Sequence, residues 1–259
     1  MENLNLMRKK IKEKKFLIGT GINVRDPAIS ELLGSIFDFL WIDGEHSWMS
    51  NGDILNHIIS AKATGCVSMV RIPWNDPVLA KPILEMGPDC IVFPQIHNVE
   101  EAKAAIAACT YPPKGIRGWG PNRAVNYGNI PAEQYLNESE ERIFKILQVE
   151  NKECVDCLEE IIQLEGVDCL CVGPMDLSGS LGKLTKLNDE LVCEYFDRIG
   201  KIAGRYNVPL MLSYAYDEEQ IEKWKQRGVT IFGVSNDYAT LLMEAKRQYN
   251  VVQKICEGN

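Results

Sequence analysis

Phe144-Lys145-Ile146-Leu147-Gln148-Val149-Glu150 is a mostly apolar run that ends in polar side chains. A helical stretch follows at Glu153–Leu164, then a second apolar run, Cys169-Leu170-Cys171-Val172-Gly173. A strand that is apolar on both faces belongs in a sheet covered on both sides. A strand–helix–strand connection makes that sheet parallel. The same alternation extends outward in both directions. Phe16–Gly19, Phe39–Asp43, Val67–Arg71 and Cys90–Pro94 precede this unit, and Pro209–Ser213 and Thr230–Val234 follow it. Helical patterns separate the runs at Asp53–Ala63, Asp76–Met86, Val99–Cys109, Asp189–Arg205, Glu218–Arg227 and Tyr238–Ile255. Asn75-Asp76-Pro77 is an N-cap followed by a first-turn proline, and Gly65, Gly87, Gly166 and Gly228 sit just past helix ends. Eight strand–helix units in roughly 250 residues predict one (β/α)8 TIM barrel occupying 1–259 as a single domain. The alternative, an open doubly wound sheet, lacks its glycine-rich fingerprint after the first strand.

Composition agrees with an ordinary globular chain: 259 residues, 46% apolar and 25% charged, with 12 Pro and 20 Gly. The formal net charge of −8, from 28 basic and 36 acidic residues, argues against a nucleic-acid partner. No long apolar run suggests a membrane span or a secretory leader, and nine cysteines in such a chain read as reduced thiols of a cytoplasmic protein. Cys154-x-x-Cys157 and Cys169-x-Cys171 read as small buried hydrophobes rather than a zinc site.

In a barrel of this kind chemistry sits at the C-terminal ends of the strands. The second strand ends in Asp43-Gly44-Glu45-His46, the third in Arg71, the fifth in Gln148-Val149-Glu150, and the sixth runs into Gly173-Pro174-Met175-Asp176. Parity in the fifth strand puts Ile146, Gln148 and Glu150 on one face and Lys145 on the other. With Gln148 and Glu150 inside, Lys145 points to the helices, which argues against a Schiff base and for metal-assisted chemistry. Glu150 and Asp176 are hard oxygen donors suited to Mg2+ or Mn2+. His46 is an acid–base candidate that Asp43 could orient, and Arg71 could stabilise an oxyanion. The long connection Thr110–Glu140 is expected to be functional; its Arg117 and Arg123 either bind a substrate carboxylate or close the loop by pairing. His57 reads as a surface or interface residue, His97 as a rim residue, and the basic run from Arg8 to Lys15 as a solvated helix face.

At these residues the sequence resembles the HpcH/HpaI aldolase family of class II, metal-dependent pyruvate aldolases. The matching stretches are Phe37–His46, Arg71-Ile72-Pro73-Trp74-Asn75-Asp76-Pro77, Tyr111-Pro112-Pro113-Lys114-Gly115-Ile116-Arg117-Gly118, Gln148-Val149-Glu150, and Glu165-Gly166-Val167-Asp168 leading to Gly173–Ser178. The resemblance implies a barrel of the phosphoenolpyruvate/pyruvate-binding type that cleaves a 4-hydroxy-2-keto acid to pyruvate and an aldehyde. It implies Glu150 and Asp176 as ligands of a divalent metal, Mg2+ or Mn2+ first and Co2+ or Zn2+ as further options. Arg71 would bind the keto acid, His46 would move the proton with support from Asp43, and Gln148, Gly173, Pro174 and Met175 would line the substrate pocket. It further implies trimers or hexamers that exchange the C-terminal helix Tyr238–Ile255. The chain departs from relatives at Ser47-Trp48-Met49, at Glu85 (often Asp, linked to the acid–base network), at Met175 and at Ser235-Asn236-Asp237. The rival readings are a related keto-acid lyase or decarboxylase, a citryl-CoA-lyase-like enzyme, and a barrel kept as a binding protein without turnover.

Overall fold

A computed structural model describes residues 1–214 and 217–258. Eight parallel strands close on one another in chain order, β1 pairing with both β2 and β8. The chain runs α1 (Glu2–Lys12), β1 (Leu17–Ile22), α2 (Pro27–Gly34), β2 (Phe39–Asp43), α3 (Asn51–Thr64), β3 (Val67–Arg71), α4 (Pro77–Met86), β4 (Cys90–Phe93) and α5 (Val99–Cys109). After a 3-10 segment at Arg123–Gly128 come α6 (Ala132–Glu138), β5 (Phe144–Val149), α7 (Lys152–Asp156), α8 (Leu158–Ile161), β6 (Cys169–Val172) and α9 (Pro174–Ser180). The last elements are α10 (Glu190–Tyr206), β7 (Leu210–Leu212), α11 (Glu218–Gln226), β8 (Ile231–Asn236) and α12 (Asp237–Glu257).

All eight expected strands are present, with ends shifted by a few residues. The predicted helix at Glu153–Leu164 is instead two short helices, α7 and α8, that meet at Cys157. Period-two alternation sorts each strand. Phe39, Trp41, Val67, Met69, Cys90, Val92, Phe144, Ile146, Cys169, Cys171, Met211 and Ile231 fill the barrel interior. Their neighbours Leu40, Ile42, Val70, Ile91, Leu147, Leu170 and Phe232 pack outward against the helices. Cys169 and Cys171 are therefore interior filler, and burial raises both thiols well above their ordinary range. Lys145 points to the helix layer, 3.6 Å from Asp168, as parity required.

The basic N-terminal segment does more than expose charge. Leu4 and Met7 of α1 are buried and join the interior cluster, so α1 stoppers the end of the barrel where the strands begin. Burying each such side chain stabilises by about 1.5–3 kcal/mol. The other end stays open.

Candidate active site

Asp43 and Arg71 are register partners on adjacent strands and continue the inward series after Trp41 and Met69. Both are buried. Arg71 donates through Nε to Asp43 Oδ1 (3.0 Å) and through Nη2 to Oδ2 (2.7 Å), a fork-on-fork pair. Its Nη1 lies 2.7 Å from Glu45 Oε2, and its guanidinium carbon sits 5.3 Å from the Trp41 ring centre. A guanidinium has five N–H donors, and the hydrogen bonds to Asp43 use two of them, so N–H groups remain for a ligand. Burial pushes the Asp43 carboxyl up, but the Arg71 charge and hydrogen bonds outweigh it and hold the group below its ordinary value.

Asp43 also shapes the turn that follows it. Its Oδ1 accepts the backbone N–H groups of Glu45 (3.0 Å) and His46 (3.2 Å). Asn23, at the end of β1, donates its side-chain amide to Asp43 Oδ2 and to the His46 carbonyl, both at 3.4 Å. The His46 ring itself faces a different carboxylate: its Nε2 is 3.8 Å from Glu45 Oε2, and the side chain is 65% exposed to the cleft mouth. Asp43 thus reaches His46 through its backbone, and the group beside the imidazole is Glu45. Sequence reasoning passed over Glu45, because it lies in the turn after β2, where strand parity no longer says which way a side chain points.

Glu150 follows the last residue of β5 and is 2% exposed. Its Oε1 accepts the Gln95 backbone N–H at 2.6 Å, and its Oε2 accepts Gln148 Nε2 at 2.5 Å. Gln95 holds a left-handed conformation (φ 56°), an uncommon state for a non-glycine residue, and it aims that N–H at the carboxylate. Burial, opposed by the Gln95 N–H and augmented by the Glu45 and Asp176 charges, pushes Glu150 up to about 7. Glu45 is likewise raised, first by burial and then by Asp43 and Asp176, against Arg71. Gln148 Oε1 is buried without a hydrogen-bond partner. At Gly173 an added Cβ would lie 2.9 Å from Glu150 Cβ and 3.0 Å from both Gln148 Nε2 and Glu150 Oε2, so only glycine leaves this cradle open. Asp176 sits in the first turn of α9 and is exposed to the cleft.

The Asp176 charge raises Glu45, the Glu45 and Asp176 charges raise Glu150, and the orphaned amide oxygen of Gln148 lies beside Glu150. A divalent cation fits hard oxygen donors in that state. Among the described residues no set of three or more His, Cys, Asp or Glu side chains forms a metal cage.

The cleft above these groups has a volume of about 500 Å3. Asp43, His46, Arg71, Gln148, Gly173, Pro174, Met175 and Asp176 all line it, and Glu150 lies just behind Gln148. Glu85 does not join them. It occupies the last turn of α4, at the stoppered end, where its Oε1 lies 3.4 Å from Arg117 Nη2. The long loop is at that end too, since it connects α5 to β5. Arg117 is 4% exposed and stacks on Tyr111 (4.6 Å), while Arg123 donates to the Met86 carbonyl at 2.6 Å. Both arginines close the loop on α4 rather than reaching this chain's cleft. His57, expected at the surface or an interface, is fully buried within the chain: it lies on the same helical stripe as Ile54, Ile58 and Ala61, with Nδ1 2.8 Å from Ser30 Oγ. His97 sits outside the cleft, its Nδ1 3.0 Å from the Gln95 carbonyl and 3.2 Å from Glu101.

Known proteins are similar to this chain in sequence and fold. The HpcH/HpaI aldolase/citrate lyase family matches residues 24–243. The 5-keto-4-deoxy-D-glucarate aldolase of Shigella boydii is 31% identical over 92% of this chain and 93% of its own. The 4-hydroxy-2-oxo-heptane-1,7-dioate aldolase of Salmonella dublin is 34% identical over 69% of this chain and 68% of its own. The crystal structure of an HpcH/HpaI aldolase/citrate lyase family protein from Burkholderia cenocepacia superimposes with a TM-score of 0.89 at 27% identity, covering 96% of this chain and 99% of that one. With an Arg–carboxylate cluster at the open end of a parallel barrel and these similarities, the chain belongs to the HpcH/HpaI aldolase/citrate lyase family and is a carbon–carbon lyase of the aldolase kind.

Proposed function

We propose that the chain reversibly cleaves a 4-hydroxy-2-keto acid into pyruvate and an aldehyde. The observation that carries this reading is Arg71, buried at the cleft floor and fixed by hydrogen bonds to Asp43 and an ion pair with Glu45, with N–H donors left to meet an anionic oxygen. A keto acid presents such oxygens, and the enolate formed when the C3–C4 bond breaks places further charge on the keto oxygen. Donors already in position cost no reorganisation when that charge develops. Glu150 and Asp176 would hold a divalent cation, Mg2+ or Mn2+ in the first instance, which when bound supplies Lewis-acid stabilisation of the same charge.

The chain's own groups divide the remaining work. His46, at the mouth, takes the C4 hydroxyl proton in the cleavage direction and returns it in the aldol direction. Glu45 orients the imidazole, and Asp43 fixes the turn that carries both. Gln148, Gly173 and the first turn of α9 at Pro174 and Met175 bound the three-carbon fragment. The protein acts on small molecules and works as a homo-oligomer. The exposed apolar side chains of α12, among them Leu241, Leu242, Met243, Val252 and Ile255, suit burial against other copies. Glu85 can join the acid–base network only if a second copy carries it there. We place the enzyme in the cytoplasm; among the described residues no helix is long and apolar enough to cross a membrane.

The test is pyruvate release from a panel of 4-hydroxy-2-keto acids, coupled to lactate dehydrogenase, with and without Mg2+ or Mn2+. Metal-dependent release supports the proposal; failure across the panel would sink it.

A further inference from the structure

The two sides of the cleft differ in chemistry. Asp43, His46 and Arg71 occupy the side formed by β2 and β3, and Asp176 reaches the cleft from α9, after β6. The opposite side, from β7, α11, β8 and α12, presents Ser213, Tyr214, Gln220, Ser235, Asn236 and Tyr238, all uncharged and all able to hydrogen-bond. The backbone is shaped to present them. The β1–β8 register shifts between Gly19 and Gly21, so that Gly21 pairs with Asn236, and Ser235 adopts a left-handed conformation (φ 48°) at the break. Irregularities of this kind beside a site re-aim side chains. An added Cβ on Gly21 would meet Asn236 Cβ at 2.9 Å, so glycine there lets Asn236 seat against the rim. Asn236 Oδ1 accepts the Ala239 N–H (2.9 Å) and caps α12, leaving its amide N–H groups outside that cap.

Resting on the aldolase reading, we infer that the aldehyde half of the substrate is a neutral hydroxyaldehyde, its hydroxyl groups bound by this uncharged rim, and not an aldehyde that ends in a carboxylate. Among the described residues lining the cleft Arg71 is the one permanent cation, and Asp43 and Glu45 already bracket it for the keto-acid fragment. A second carboxylate would enter beside Asp176 and lose hydration without a counter-ion. Hydroxyl groups on the tail instead pair with hydroxyls and amides already in place. A site built to hydrogen-bond a substrate hydroxyl discriminates strongly against analogues lacking it. The selectivity expected here thus departs from that of the Salmonella relative, whose name carries a 1,7-dioate.

The experiment uses the full chain with Mn2+ and pyruvate. First, loss of pyruvate C3 protons in D2O is followed by NMR; this reads enolate formation and needs no aldehyde. Then kcat/KM for aldol addition is compared for D-glyceraldehyde, propionaldehyde and succinic semialdehyde. The expected order places D-glyceraldehyde at least about tenfold above each of the other two. Gln220→Ala should shrink the D-glyceraldehyde preference over propionaldehyde, and Gln220→Arg should raise succinic semialdehyde relative to D-glyceraldehyde. Succinic semialdehyde equal to or better than D-glyceraldehyde in the unaltered enzyme, with C3 exchange intact, would overturn the inference and leave the aldolase reading standing. Absence of exchange would remove both.

Discussion

Each end of the barrel holds a buried arginine beside glutamate, yet the two arginines do opposite things. At the stoppered end Arg117 is caged: Tyr111 and Tyr135 lie against its plane, and Leu84 O, Tyr135 Oη and Glu85 surround Nη2. At the open end Arg71 shares its surroundings with Asp43, Glu45, Glu150 and Asp176, more negative charge than one guanidinium balances, under an accessible cleft. A caged arginine serves the fold. Arg71 sits among surplus carboxylates instead, the setting in which we propose a ligand and a cation. Burial and spare donors do not distinguish the two, since Arg117 Nε is itself buried without a partner; the charge balance does.

Substitutions can break this contrast. Arg71→Lys keeps the charge but loses the fork to Asp43, and it should lower kcat/KM for retro-aldol cleavage by about 10³-fold with the circular dichroism spectrum retained. A drop of only a few-fold would deny Arg71 its place at the developing charge. Glu150→Gln should cost at least about 10²-fold and raise the concentration of Mn2+ needed for half-maximal rate. At the other end, Arg117→Met should mainly lower stability. Loss of the buried arginine contacts is expected to cost about 3 kcal/mol, a fall in Tm of roughly 6–12 °C, while the folded enzyme keeps most of its turnover.

A smaller effect comes from His57. Burial lowers its pKa from 6.5, against the opposing charges of Asp237 and Asp53. The unfolded chain therefore takes up the proton first, and stability rises with pH across the window below about 6.5. The contribution of the neutral ring is complete above that value and drains away as pH falls toward the folded pKa. Thermal melts between pH 5 and 7.5 should show a slope that His57→Gln flattens; identical slopes would mean that other groups set the acid sensitivity.

The fold was legible because barrel strands buried on both faces leave continuous apolar runs, and parity then separates Gln148 from Lys145. Most of the site followed from asking where strands end. The misses have physical causes. The sequence places Asp176 at the rim but not the seven-residue helix that carries it, where proline and glycine read as loop. Glu45 is recognised only once Arg71 and Asp43 are fixed in space, because its partner comes from another strand. The stripe of Ile54, Ile58 and Ala61 already placed His57 inside, but residue polarity outweighed periodicity in the reading. The length of the 110–140 segment signalled structure without saying which end of the barrel it served. Chain order does say so, since a connection from helix to strand lies at the strands' starting end.

The most direct test of a keto-acid site built from Arg71 and two acidic oxygen donors is lactate-dehydrogenase-coupled pyruvate release after exhaustive chelation, followed by stepwise return of Mg2+ or Mn2+. Turnover should vanish with the chelator and recover with the ion, and Glu150→Gln should shift the recovery to higher concentration. Undiminished turnover in the metal-stripped enzyme would contradict the account.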